Sequence, residues 1–227
     1  MIGTDQRSTK VVKNVENYVI TIARGFGSGG KQIGKLLASQ LGIPCYESQI
    51  PQMASECSGI SQEKFMQADE RLRRPSLLRL IRKAPDIDRA YAPSDRKFVS
   101  DDNLFRIQAW IIRELAKSKP CIIVGKCANH ILRDRANVLS VYVEAPRKTC
   151  VESIIQKSGV TAEQANKLIV KTDQYRAEYY KYYTGGDDWT NPTLYDLTVN
   201  TGRLSREDAA RLIIQAARIK FGEDALY

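Results

Sequence analysis

Tyr18-Val-Ile-Thr-Ile-Ala23 runs, after Arg24, into Gly25-Phe-Gly-Ser-Gly-Gly-Lys31, and then into a segment carrying Ile33, Leu36, Leu37 and Leu41. The first stretch is rich in β-branched residues and bounded by turn residues, so it reads as a buried strand. The last has apolar residues at helical spacing and stops at Gly42. Between them, glycines let the backbone curl until successive amides point into one concavity, an anion nest. The start of the following helix adds exposed amides and the positive end of its dipole. Gly25 to Lys31 meets the first seven positions of the Walker A pattern Gly-x-x-x-x-Gly-Lys-Ser/Thr. The eighth position is Gln32, so the hydroxyl that would hold Mg²⁺ is replaced. The stretch therefore predicts a phosphate cradle in which Gly25, Gly27, Ser28, Gly29 and Gly30 offer backbone amides and Lys31 reaches the terminal phosphates.

Two other readings of the same turn stay open. One is a glycine-rich strand-to-helix turn with no ligand. The other is a dinucleotide site, since Gly25-x-Gly27-x-x-Gly30 also fits that fingerprint, with Glu47 the nearest acidic partner on a second strand. Lys31 and the long helical segment farther on favour the phosphate-loop reading.

Strand-like and helix-like stretches alternate through the rest of the chain. Ile43 to Tyr46, Cys121-Ile-Ile-Val124, Leu139-Ser-Val-Tyr-Val143 and Tyr195 to Val199 read as four further strands. Continuous apolar strands separated by helices predict a parallel sheet covered on both faces. The expected fold is an α/β P-loop domain with five parallel strands flanked by helices, occupying all of 1–227. Residues 1–17 read as an N-terminal extension and 47–118 as a helical insertion on one edge of the core. That insertion shows helical patterns near Gln49–Cys57, Ser61–Arg73 and Asn103–Lys117, and a Pro- and charge-rich stretch near Ala84–Asp101. A long helix from about Ala162 to Tyr183 opens on Thr161-Ala-Glu-Gln164, which fits a capping box, and stops at Gly185-Gly186. A last helix covers about Ser205 to Phe221.

Composition narrows the function classes. No apolar run approaches the ~18 residues of a membrane span, and Met1 to Glu16 has no signal-peptide core, so the expectation is a cytoplasmic protein with no membrane partner. Five cysteines, none in Cys-x-x-Cys spacing, and the single His130 argue against a metal-ligand set and against most Ser-His or Cys-His catalysis. Cys127 and His130 are three residues apart, either a nucleophile pair or ordinary neighbours on a short helix. The formal net charge of +9 concentrates between Arg71 and Lys97, including Arg73, Arg74, Arg79, Arg82, Lys83, Arg89 and Arg96. Such charge suits a solvated surface, a cleft for phosphorylated small molecules or a nucleic acid. With only Tyr91 and Phe98 as interleaved aromatics, nucleic acid is the weaker expectation.

Several short motifs together make the resemblance specific. The chain resembles the cytidylate kinase-like family, a branch of the nucleoside monophosphate kinases. The likeness rests on Ile20-Thr-Ile-Ala-Arg24, Gly27-Ser-Gly-Gly30, Leu41-Gly-Ile-Pro44, Val124-Gly-Lys-Cys-Ala128, Ile131-Leu-Arg-Asp-Arg135, Tyr179-Tyr-Lys-Tyr-Tyr-Thr-Gly185 and Tyr195-Asp-Leu-Thr-Val-Asn200, in family order. The resemblance implies a P-loop core, a helical monophosphate-binding insertion, and a short lid over 171–192. It also implies transfer of the γ-phosphoryl group of ATP to a nucleoside monophosphate, CMP or dCMP foremost. The alternatives are a nucleotide-binding regulatory module with little turnover and, behind it, an RNA-binding protein.

The resemblance also carries residue roles. Asp173 and Arg176 lie three apart on the long helix, hence on one face, and match the family's Asp-x-x-Arg. It implies a contact to the acceptor nucleoside for Asp173 and a phosphate clamp for Arg176; an ordinary ion pair within the helix is the plainer reading. Arg24 faces the phosphate end of the sheet or braces its loop. Lys126 stands where the family usually has arginine, keeping the charge without the bidentate fork. Lys181 and Lys171 are further cationic candidates near the acceptor. Tyr179, Tyr180, Tyr182 and Tyr183 read as packing. Gly25 stands where the family commonly has an acidic residue, and no carboxylate follows the third strand. Mg²⁺ would therefore come with ATP, held mainly by phosphates and water.

Overall fold

The structure, a computed structural model, describes residues 17–72, 86 and 88–226. Nearly all of the expected N-terminal extension, and the basic residues Arg73, Arg74, Arg79, Arg82 and Lys83, lie outside these residues.

Five parallel strands form one sheet: β1 (Val19–Arg24), β2 (Cys45–Tyr46), β3 (Cys121–Val124), β4 (Val138–Glu144) and β5 (Leu197–Asn200), in the order β2-β3-β1-β4-β5. The central strand β1 pairs with β3 through Val19↔Cys121 to Ile22↔Val124, and with β4 through Val19↔Val138 to Arg24↔Val143. Because side chains alternate across a strand, each strand feeds two cores. Ile20, Ile22, Ile122, Val124, Val141 and Val143 face one side. There they pack under α1 (Gly30–Leu41) and the last long helix, Arg206–Phe221. Val19, Cys121, Ile123 and Tyr142 face the other. Burial on both faces explains why the strands read as continuous apolar runs.

Among the described residues, the segment between β2 and β3 carries three helices, as expected, with turns within 88–100. It contains α2 (Gln49–Ser58), α3 (Gln62–Gln67) and α4 (Asp101–Ser118). Helix α3 ends well before the expected Arg73, and the chain then turns sharply at Glu70, whose φ is 50°. Helix α4 is capped by Ser100, whose side chain accepts from the Asn103 amide, and Asp101 and Asp102 complement the dipole at its start.

After β3 come a short helix α5 (Ala128–Ile131) and, after β4, α6 (Arg147–Ser158), which the sequence pattern did not announce. Only Cys150 and Ile154 of α6 are buried, too few to show as a stripe among Lys, Thr, Ser and Gln. The long helix α7 (Ala162–Thr184) has both hydrogen bonds of the expected capping box and ends at Gly185. Helix α8 is the Arg206–Phe221 element, capped by Ser205.

Aromatic packing fastens the helical segment to the core. The Phe105 ring of α4 stacks on Tyr183 of α7 at 3.7 Å and meets Tyr179 edge-on at 5.7 Å. All four tyrosines from Tyr179 to Tyr183 are buried, in line with the packing role. Phe105→Ala, at 1% exposure, should lower the unfolding free energy by roughly 3–5 kcal/mol. Urea titration followed by tryptophan fluorescence measures the loss; a cost below ~1 kcal/mol would mean that the seam contributes little.

Candidate functional site

The parallel strands all end on the same edge of the sheet, and the glycine turn leaves β1 at that edge. Ser28 donates its hydroxyl to the Gly25 carbonyl at 2.9 Å and offers its own carbonyl to Thr201 at 2.6 Å, which pins the turn to the loop after β5. Gly29 caps α1 with φ 91°, a conformation that residues with a Cβ rarely adopt. The first-turn amides of α1 have no acceptor within the helix, so they are available at the mouth of a cavity of about 250 Å³. Gly25, Gly27, Gly29, Gly30 and Lys31 line it, together with Arg24 and Arg176. Lys31 is half exposed, and its ammonium lies 2.5 Å from Glu47 at the end of β2.

Asp173 and Arg176 are more than an ion pair within a helix. Asp173 accepts the Phe26 amide at 2.9 Å, and Arg176 donates to the Arg24 carbonyl at 3.1 Å, so one face of α7 grips the glycine turn. Their mutual contact is 3.5 Å. Burial pushes the Asp173 carboxyl above its ordinary value, against the pull of the Phe26 amide and Arg176.

Arg24 and Arg176 also line a second cavity, one that Lys31 does not border, with Thr21, Gly125, Lys126 and Tyr179. Its occupant is Glu70, which the sequence reading missed. Arg24 donates to both Glu70 oxygens at 2.6 and 2.8 Å, Arg176 Nε donates at 3.1 Å, and the Lys126 amide donates at 2.7 Å. Burial alone would raise the Glu70 pKa, but the charges of Arg24, Arg176 and Lys126 outweigh it and hold the carboxyl well below the usual range. Gly125, Lys126 and Cys127 take φ of 77°, 58° and 54°, a left-handed turn that aims the Lys126 amide at Glu70. A Cβ on Gly125 would stand 1.8 Å from Glu70 Oε1, so only glycine lets the carboxylate come this close. The Lys126 ammonium is buried and pairs with Asp69 at 2.5 Å.

The other candidates are not brought in. Lys181 is exposed on α7 and lines neither cavity, and Lys171 stands 6.0 Å from the Tyr175 ring instead. Cys127 and His130 share no hydrogen bond. Burial lifts the Cys127 thiol well above its ordinary pKa, and burial with Arg133 lowers His130 to about 4, the opposite of a thiolate–imidazolium pair. Arg206, unremarked in the sequence, lies against Gly29 and donates to Ser153 at 3.1 Å, adding a cation beside the cradle.

The donor set can be tested against Mg²⁺. Gln32 offers no hydroxyl, Glu47 is the carboxylate on the wall of the nucleotide cavity, and no cluster of three His, Cys, Asp or Glu converges among the described residues. This fits an ion carried by the nucleotide, with Glu47 on the cavity wall, and does not make a protein cage.

A glycine turn between β1 and α1, a lysine at its end and a parallel sheet define a P-loop nucleotide-binding fold. The model of the cytidylate kinase-like family matches residues 19–203, and the chain belongs to that family. The cytidylate kinase of Aeropyrum pernix is 28% identical over 193 residues, covering 85% of this chain and 94% of that one. The cytidylate kinase of Pyrococcus horikoshii is 24% identical, covering 87% of each chain. In fold, an uncharacterized protein from Eubacterium ventriosum has a TM-score of 0.64 at 23% identity, over 88% of this chain and 98% of its own. Shikimate kinase from Bacteroides thetaiotaomicron has a TM-score of 0.50 at 12% identity, over 88% of this chain and 96% of its own.

The Glu70 contacts imply an acid-side signature. A depressed folded pKa gives stability that is complete above the unfolded value, about 4.5, and is lost as pH falls through the folded one. Glu70→Gln should therefore cost about 3 kcal/mol at neutral pH, as for removing one partner of a buried ion pair. The gap to the wild type should close progressively below about pH 4.5. Denaturation curves from pH 3 to 7 measure it; parallel curves would count against the assignment.

Proposed function

We propose that this chain transfers the γ-phosphoryl group of ATP to a nucleoside monophosphate, with CMP or dCMP the favoured acceptor, in the cytoplasm. The observation that carries this reading is the shared wall: Arg24 and Arg176 border both the glycine-lined cavity and the cationic cavity beside it. A donor phosphate on one side and an acceptor phosphate on the other would then meet across two guanidinium groups. Phosphoryl transfer asks for little else, since positioning and charge neutralisation carry most of the rate.

In this reading the amides of Gly27, Gly29 and Gly30 and of the first turn of α1 hold the β- and γ-phosphates. The Gly25 amide is taken by the Val143 carbonyl, the Phe26 amide by Asp173 and the Ser28 amide by the Gly25 carbonyl, which corrects the expectation for Gly25 and Ser28. Lys31 exchanges Glu47 for the transferred group, and Arg176 clamps the acceptor phosphate. Asp173, fixed by the Phe26 amide, keeps α7 in register with the glycine turn and touches the acceptor nucleoside. Lys126, spent on Asp69, acts through its backbone amide more than its charge. Residues 47–118 form the acceptor side, and 171–192 the lid. When bound with ATP, Mg²⁺ would neutralise phosphate charge, with Glu47 at hand.

A second reading, a regulatory module that binds nucleotide with little turnover, is favoured by Gln32 in the place of the metal-anchoring hydroxyl. Measuring ADP release from ATP against a panel of nucleoside monophosphates and small alcohols separates the two. Stimulation by CMP or dCMP supports the kinase; bound ATP that no acceptor turns over supports the module. Lys31→Ala should lower kcat by a factor on the order of 100 to 1,000 with the Tm unchanged, as for loss of one charge-stabilising group. Undiminished turnover in that variant would remove Lys31 from the site.

A further inference from the structure

With Glu70 seated, the cavity bordered by Arg24 and Arg176 keeps a free volume of about 30 Å³, room for one water. No phosphate group enters such a space. Yet the donors around Glu70 are the ones an entering anion would need: two guanidinium groups and one amide, at 2.6 to 3.1 Å. They come from three places, the end of β1, the turn after β3 and α7, all anchored to the core. Glu70 comes from a fourth, the turn after α3, held over the cavity by the Asp69–Lys126 pair and by a non-glycine φ of 50°.

The fit of Glu70 is also incomplete. The Thr21 hydroxyl and the Tyr179 hydroxyl belong to residues that line the same cavity, at 1% and 3% exposure, and neither has a hydrogen-bond partner. Buried polar atoms are normally paired. Two orphans beside a bound carboxylate suit an occupant that carries more oxygens than a carboxylate does.

We propose that Glu70 is an internal surrogate for the acceptor's anionic group, and that the acceptor must evict it, with the turn that carries it, before transfer. The location of the acceptor in this cavity rests on the function proposed above. Eviction also sets acceptor chemistry. A monocarboxylate only exchanges one tethered monoanion for a free one, and tethering favours the one already there. A phosphate monoester dianion brings a second charge and a third oxygen to a cavity that Thr21 and Tyr179, with their unpaired hydroxyls, also line. Glu70 thus selects phosphorylated acceptors over carboxylate-bearing ones.

Calorimetric titration of the ADP-loaded protein tests this with inorganic phosphate, CMP and acetate as probes. Removing the competitor returns the fraction of molecules held closed, so Glu70→Gln and Glu70→Ala should bind inorganic phosphate roughly tenfold tighter or more. Acetate should bind the variants and not the wild type. Adding Arg176→Ala to Glu70→Gln should abolish the gain. Equal or weaker phosphate binding in folded variants would mean that Glu70 only orients the arginines, and the proposal falls. Should the variants not fold, hydrogen exchange on the wild type decides: amides of residues 62–72 should lose protection when phosphate binds, and unchanged protection overturns eviction. If phosphate shows the gain while CMP binds neither protein, the nucleotide reading fails and the surrogate stands. If CMP binds wild type and variants alike, the surrogate fails and the nucleotide reading stands.

Discussion

A guanidinium group buried at the end of the central strand must find negative charge, and most of the functional edge is arranged around that requirement. Arg24 is buried where β1 gives way to the glycine turn. Its charge is met by Glu70 at hydrogen-bonding distance and by Glu47 at 3.8 Å, and its carbonyl receives Arg176. Burial works against its proton, and Glu70 more than restores it, so Arg24 remains a cation in a site of low polarity. The same residue thus links the helical segment after β2, the helix α7 and the phosphate turn. An isolated pair of this kind on the surface would contribute little; here removal of one partner leaves a charge stranded.

That arrangement couples the two cavities mechanically. Helix α7 carries Asp173 and Arg176 on the face toward the glycine turn, and one turn farther on Tyr179, which borders the second cavity and packs against Phe105 of α4. A shift of the helical segment is therefore felt by aromatic rings in close contact and by Tyr179, which lines the second cavity. Close-packed interiors transmit such displacements because they have little free volume to absorb them. The strained turn from Gly125 to Cys127 sits at the same junction, presenting the Lys126 amide to Glu70.

How much of this was legible follows from the range over which each signal acts. The glycine turn, the strands Cys121–Val124 and Val138–Glu144, and the capping box at Thr161 are local in sequence and could be read from periodicity and turn chemistry. Asp173 and Arg176 were singled out by the family resemblance, and their three-residue spacing placed them on one face of the helix. Lys181, five residues beyond Arg176, is rotated by roughly 140° from it on an α-helix of 100° per residue, and the structure leaves it in solvent. Helix α6 escaped notice because two buried side chains make no stripe.

The sequence by itself pointed to the class of protein: a β-branched strand, a glycine turn and a lysine fit a phosphate cradle at the head of a helix, and continuous apolar runs separated by helices fit a parallel sheet with both faces covered. Tertiary structure alone decided the partners of the charges. Glu70 stands 46 residues from Arg24, 56 from the Lys126 amide and 106 from Arg176. An Asp-Glu step ahead of an arginine-rich stretch reads on paper as part of a charged surface. Folding brings it over a cluster of buried donors, where desolvation makes one carboxylate indispensable, and no local pattern records which carboxylate that will be.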